Sequence, residues 1–225
     1  MQRVQKILSH NGVCSRRNAE KLIDEGRVRV NDKIITLGDK ATDEDKIYVD
    51  NKLIQKKEKI YLKFHKPVGY VTALTDRHEK TIMELINIKE RVFPVGRLDK
   101  NTSGLILLTN DGDFANKIMH PRYEIEKTYL VGLYRQIEDK HIKMLERGIE
   151  LDDGKTRPAK VKKHHERLIE ITIHEGKNRI IRRMLKKIGH PTNFLKRIKI
   201  GKMDLGKLEV GKIRFLTKKE LDKFF

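Results

Sequence analysis

The chain has 225 residues, enough for one large domain or for a small and a medium one. Its 51 Lys and Arg against 32 Asp and Glu leave a formal net charge of +19, which calls for a polyanionic partner. A membrane is set aside as that partner by the lack of a long Lys/Arg-faced amphipathic segment with Trp or Phe opposite and of any apolar run near the roughly 18 residues that span a bilayer, and the single cysteine, Cys14, excludes an internal disulfide.

Val4, Ile7 and Leu8 fall at i, i+3 and i+4, which predicts a short helix ended at Gly12. Met1 to His10 lacks the apolar centre of a signal peptide, and Cys14 reads as a small buried filler, so the chain reads as soluble and cytoplasmic. Ser15 is the expected N-cap of a second helix with Ala19, Leu22 and Ile23 inward and Gly26 as its stop. Arg3, Lys6, Arg16, Arg17 and Lys21 occupy the polar sides of the two helices. Val28 and Val30 alternate with Arg27 and Arg29 into the turn Asn31-Asp32, which predicts a hairpin. Ile47 to Val49 is a last strand, and the lysine-rich stretch 51–58 reads as a polar linker. The predicted organisation is a small domain over residues 1–58 and a larger one over 59–225.

Ile60, Leu62 and Phe64 alternate with Tyr61 and Lys63, predicting a strand that stops at His65-Lys66-Pro67. A short helix is expected over 81–86 with Ile82, Leu85 and Ile86 inward. Leu105 to Leu108 form a continuous apolar run, as in a strand buried on both faces, and Asn110-Asp111-Gly112 has the composition of a tight turn with positive φ. Asp99 lies in the polar loop that leads into this strand, between Arg97 and Lys100. Asp113 starts a helix carrying Phe114, Ile118 and Met119. Tyr129, Val131 and Leu133 share one face of the next strand, Ile142 and Leu145 mark a helix ended by Gly148, and strands follow at 159–162 and 168–173. Ile180, Ile181, Met184, Leu185 and Ile188 make one face of a helix whose other face is expected to show Arg179, Arg182, Arg183 and Lys186. Three arginines so close repel one another unless an anion or a carboxylate sits among them. Thr217 and Glu220 form a capping box for a short last helix, with Leu221, Phe224 and Phe225 free to pack.

Three strings carry a resemblance. Gly96-Arg-Leu-Asp-Lys-Asn-Thr-Ser-Gly-Leu-Ile-Leu-Leu-Thr-Asn-Asp-Gly112, with Lys66-Pro67-x-Gly69 before it and Glu175-Gly-Lys-Asn-Arg-Ile-Ile-Arg-Arg-Met184 after it, resembles the bacterial ribosomal RNA pseudouridine synthases of the RsuA, RluB, RluE and RluF type. Ser15 to Asn31 resembles the S4 RNA-binding domain. The resemblance implies an α+β (mixed α/β) chain: an N-terminal S4 domain, then a catalytic domain with a mixed, largely antiparallel sheet. It implies Asp99 as the catalytic aspartate and Arg182 as its partner. Tyr129, by the same likeness, lies flat on the target base, a contact worth about 1 to 3 kcal/mol. Leu195 would close over the base, Arg97 would fill the stack when the uridine is extruded, and Lys127, Asn178 and Arg179 would join them in binding substrate. Arg3, Lys6, Arg16, Arg17, Lys21, Arg27 and Arg29 would hold RNA phosphates. Ile180 stands where the family usually has Gln, which removes any polar contact made by that Gln.

Such an enzyme breaks the N1–C1′ bond of a uridine, turns the base and rejoins it through C5. One ionised carboxylate serves, by attacking C1′ or by removing the 2′ proton. No cofactor and no metal are implied, and no Gly-rich nucleotide loop or metal-ligand spacing appears among the nine histidines. The expected partner is ribosomal RNA or a pre-ribosomal particle, with no membrane, for a monomeric protein. The opening Gln5 to Leu8 and the run 15–31 lean toward a large-subunit, 23S substrate, with a 16S uridine as the alternative. A non-catalytic S4-type assembly factor is the competing reading and makes no demand on Asp99. A deaminase would need a Cys/His zinc set that the sequence lacks, and a methyltransferase a nucleotide loop.

Overall fold

The computed structural model describes residues 1–42 and 44–224 and divides into two compact units. The first is Met1–Ile60 with Ile88–Phe93 and Thr109–Gly112. It contains strands β1 (Gln2–Arg3), β2 (Val28–Val30), β3 (Lys33–Ile34), β4 (Lys40–Ala41), β5 (Ile47–Val49) and β6 (Lys52–Leu53) and helices α1 (Val4–His10) and α2 (Arg16–Asp24). Ser15 caps α2 by accepting from the Asn18 N–H, and the chain leaves that helix through Gly26 at φ +68, as the sequence predicts. Val4, Leu8, Ala19, Ile23, Val28 and Ile47 form its core, with Cys14 half-buried against them. β2 and β5 are the inner strands of a four-stranded sheet in the order β3-β2-β5-β6, so part of the expected linker is an edge strand.

The second unit holds β7 (Tyr61–Lys66), β8 (Phe93–Val95), β9 (Ser103–Thr109), β10 (Lys127–Leu133), β11 (Glu150–Leu151), β12 (Gly154–Lys155), β13 (Lys160–His165), β14 (Leu168–Ile173), β15 (Thr192–Ile200), β16 (Met203–Asp204) and β17 (Ile213–Phe215). Its helices are α3 (Gly112–Met119), α4 (Asp139–Arg147), α5 (Ile180–Lys187) and α6 (Lys218–Leu221). The large sheet runs β13-β14-β10-β15-β9-β7-β17. β15 and β9 are parallel, while β13–β14, β14–β10, β10–β15 and β7–β17 are antiparallel. α5 packs its Ile180, Ile181, Met184 and Leu185 into a core shared with Val131, Ile169, Ile171 and Leu195.

Several expectations need correction. β7 does not alternate in burial, because Lys63, His65 and Lys66 are as buried as Leu62 and Phe64. The Lys63 ammonium donates to the Asp204 and Leu205 carbonyls and pairs with Glu220. No positive φ occurs at Asn110 to Gly112. Asn110 is instead buried, accepting from the Ile60 N–H and donating to the Glu58 carbonyl. The segment 81–86 is a single 3-10 turn with Leu85 only half-buried, and Met119 faces outward. The Thr217 capping box forms as expected, and Phe224 packs edge-on against Phe114; Phe225 lies outside the described residues.

Candidate active site

Backbone hydrogen bonds build the loop that carries Asp99. The Lys66 ammonium, at the end of β7 and with no exposed surface, donates to the carbonyls of Pro67 (2.9 Å), Asp99 (3.1 Å), Lys100 (3.3 Å) and Thr102 (2.9 Å). Burial pushes its pKa down to about 8, and the nearby charge of Asp99 opposes that fall. Thr72 holds Leu98 by both backbone groups, donating to its carbonyl at 2.8 Å and accepting from its N–H at 3.1 Å. The turn closes through the Thr102 N–H on the Asp99 carbonyl, and Gly69 donates to the Lys100 carbonyl. The sequence fits Lys66 and Gly69 to a family pattern but does not show what they touch.

Asp99 is half-buried, and among the described residues no side chain hydrogen-bonds its carboxylate. The expected direct pairing with Arg182 is not formed. Arg182 turns inward from α5 instead, donating at 2.7 Å to the Thr192 hydroxyl and at 2.7 Å to the Asn101 carbonyl, with its Nε buried and unpartnered. Burial and the Arg179 charge lower the Arg182 pKa, and the Asp99 charge raises it. The two therefore act on each other through space, and Arg182 fixes the loop through its backbone.

Tyr129 lies in the row Ile171–Tyr129–Arg197–Gly104 across β14, β10, β15 and β9, half-buried against the core. Gly104 has φ +113, and a Cβ there would sit 2.2 Å from the Arg197 carbonyl oxygen, so β9 and β15 meet backbone to backbone. Arg197 is 4% exposed and donates to the Leu105 carbonyl, leaving Nη2 buried without a partner. Burial and Arg197 together push the half-buried Lys127 down to about 8. Leu195 is buried in the core opposite Val131, so here it packs as an interior residue and not as an open pocket wall.

The outward row of cations on α5 is also corrected. Arg179 is left-handed, with φ +48, and precedes the helix. Arg183 makes a two-pronged pair with Asp153, which supplies the carboxylate that close arginines require. Asn178 and Arg179 are exposed, as is Arg97. In the first unit, Arg3, Arg16, Arg17 and Lys21 are exposed, and no acidic side chain pairs with them among the described residues. Arg27 differs, being taken up by Asp50 and Glu25, and Arg29 by Asp32 and the Tyr48 ring. Lys6 is half-buried. Among the described residues no group of three or more His, Cys, Asp or Glu is placed to hold a metal ion, and no helix is long and apolar enough to cross a membrane.

A loop with one carboxylate, braced through its backbone by a buried lysine and an arginine, is where comparison with known proteins becomes decisive. The RNA pseudouridylate synthase model matches residues 60–187 and the S4 domain model residues 2–47. This chain belongs to the RNA pseudouridylate synthase family. It is 45% identical to ribosomal large subunit pseudouridine synthase B of Bacillus subtilis (strain 168) over 232 residues, covering 99% of this chain and 95% of that one. It is 47% identical to an RNA pseudouridine synthase of Aquifex aeolicus (strain VF5), with 99% and 93% covered. The dual-specificity enzyme RluF of Escherichia coli (strain K12) is 37% identical, with 99% and 78% covered. A crystal structure of a pseudouridylate synthase covers 100% of both chains at TM-score 0.75 and 32% identity. The S4 domain followed by a pseudouridine synthase domain with a largely antiparallel sheet is thus the architecture of this family member.

Proposed function

We propose that this chain isomerises a uridine of ribosomal RNA to pseudouridine, with Asp99 as the group that acts on the nucleotide. The observation that carries the reading is the loop itself. Lys66, Thr72 and Arg182 spend their hydrogen bonds on its backbone and leave the Asp99 carboxylate without a side-chain partner. A purely structural carboxylate would be expected in an ion pair, as Asp153 and Glu220 are here. Both attack at C1′ and removal of the 2′ proton call for one carboxylate that is free to meet the nucleotide. Tyr129 serves as the platform for the extruded base, and Arg97, Lys127, Asn178 and Arg179 contact the RNA around it. Arg3, Arg16, Arg17 and Lys21 hold phosphates.

The 45% identity to a large-subunit enzyme supports a 23S substrate. The test is release of tritium from ribosomal RNA labelled at uridine C5. Wild type releases label and Asp99→Ala does not; no release from any ribosomal RNA fragment or pre-ribosomal particle overturns the reading. Carbodiimide primer extension on RNA from a deletion strain then identifies the subunit and the position.

A further inference from the structure

The first unit has a second face that its phosphate-holding helices do not use. In the four-stranded sheet, Ile34 of β3 pairs with Arg29 of β2, Arg29 with Tyr48 of β5, and Tyr48 with Leu53 of β6. Directly paired residues of antiparallel strands point to the same side, so these four side chains form one row across the whole sheet. The alternate residues Val28, Val30, Ile47 and Val49 point to the core, which places the row on the opposite face. Two of its members are large and exposed, Ile34 at 61% and Leu53 at 53%. At its centre the Arg29 guanidinium lies 4.2 Å from the centroid of the Tyr48 ring.

We infer that this row is a stacking platform for unpaired RNA bases. The Arg29 guanidinium lies over the Tyr48 ring, which supports it, with aliphatic Ile34 and Leu53 at the two ends of the row. Flat guanidinium and apolar surfaces of this kind are what an unstacked base packs on. The arginines in and just before β2 have their charge offset, which suits base contact. Asp50 and Glu25 neutralise Arg27, and Asp32 pairs with Arg29. Arg16, Arg17 and Lys21, which are exposed without acidic partners among the described residues, belong to α2 instead. Size argues against a protein partner. Four strands of two or three residues, about 4.8 Å apart, offer on the order of 150 Å², far short of the roughly 800 Å² per side of a stable protein interface. One or two bases fit. Leu53 lies beyond the segment that matches the S4 domain model. The inference uses the family's RNA partner and is independent of the role of Asp99.

The test uses the full chain with two fluorescein-labelled probes, a single-stranded 12-nucleotide oligouridylate and a blunt-ended RNA duplex of the same length, followed by anisotropy at two salt concentrations. Tyr48→Ala and Leu53→Ser are each expected to weaken single-strand binding about 5-fold or more, with an unchanged salt slope and unchanged duplex binding. Leu53 is an exposed edge residue, so its replacement keeps the test valid if Tyr48→Ala perturbs folding. A 4-thiouridine version of the single-stranded probe should crosslink to the peptide containing Tyr48. Equal binding by wild type and both variants, equal losses on both probes, or a wild-type dimer in sedimentation that Leu53→Ser dissolves would each overturn the inference. Tritium release by wild type on ribosomal RNA reads out Asp99 separately.

Discussion

The two units spend their positive charge in opposite ways. In the second, Lys63, Lys66, Arg182 and Arg197 are drawn into the fold and donate to backbone carbonyls, so each cation fixes a strand end or a loop. In the first, Arg16, Arg17 and Lys21 stand exposed without acidic partners. A net charge of +19 is therefore two quantities, one that fixes backbone inside the fold and one that stands open to a polyanion. Buried charges of this kind lose hydration and recover it only through well-placed acceptors, so they can be conspicuous in composition while contributing little to long-range attraction.

The sharpest way to break the contrast is at the site. Asp99→Ala should lower tritium release about ten-thousandfold or more with ribosomal RNA binding intact, measured by filter binding beside the release assay. Lys66→Met should reduce both activity and stability, since four carbonyls lose a donor and a buried unmade hydrogen bond costs about 1 to 3 kcal/mol. Its pH signature separates it from a simple packing defect. Between about pH 8 and pH 10.5 the unfolded chain keeps a proton on Lys66 that the folded chain has released. Wild type therefore gains stability relative to Lys66→Met as pH rises through that window, which urea denaturation across pH reads directly.

Glu220 tests the structural use of charge in the second unit. Its side-chain hydrogen bonds from Arg214, the backbone bond from Thr217 and the ammonium of Lys63 bring its pKa down to about 2. A depressed carboxylate contributes stability that is present above its unfolded value of about 4.5 and lost as pH falls toward 2. Glu220→Gln should cost about 2 to 3 kcal/mol at pH 7 and converge with wild type near pH 2, by thermal melts at each pH. The smallest effects should come from the first unit. Replacing Arg16 and Arg17 by Gln should leave turnover and melting temperature unchanged, raise KM, and flatten the salt dependence of RNA binding by about 0.7 to 0.9 for each phosphate no longer neutralised. A double variant that loses turnover instead would erase the distinction between the units.

What was legible in the sequence follows the range of the interactions. Ser15 on Asn18 and the Thr217–Glu220 box reach three residues, so their signals lie within a single turn of chain. The buried run Leu105 to Leu108 was equally plain, because apolar side chains on both faces leave one solution. Lys63 and Glu220 are 157 residues apart, and Arg182 reaches Asn101 across 81, so nothing local marks those lysines and arginines as interior. A helical period read through Arg179 assumes one continuous backbone conformation, and the left-handed φ at that residue breaks it. Asn110 misled for another reason: an amide suited to turns was taken up in satisfying the backbone at Glu58 and Ile60.

Gly104 ties these threads to the chemistry. Because its missing side chain lets β9 touch the Arg197 backbone of β15, and β15 is the neighbour of Tyr129's strand, the loop before β9 and Tyr129 are set against each other through a main-chain contact. Any larger residue at 104 acts as a shim between the two strands, resetting the distance from the Asp99 loop to Tyr129 without altering either residue.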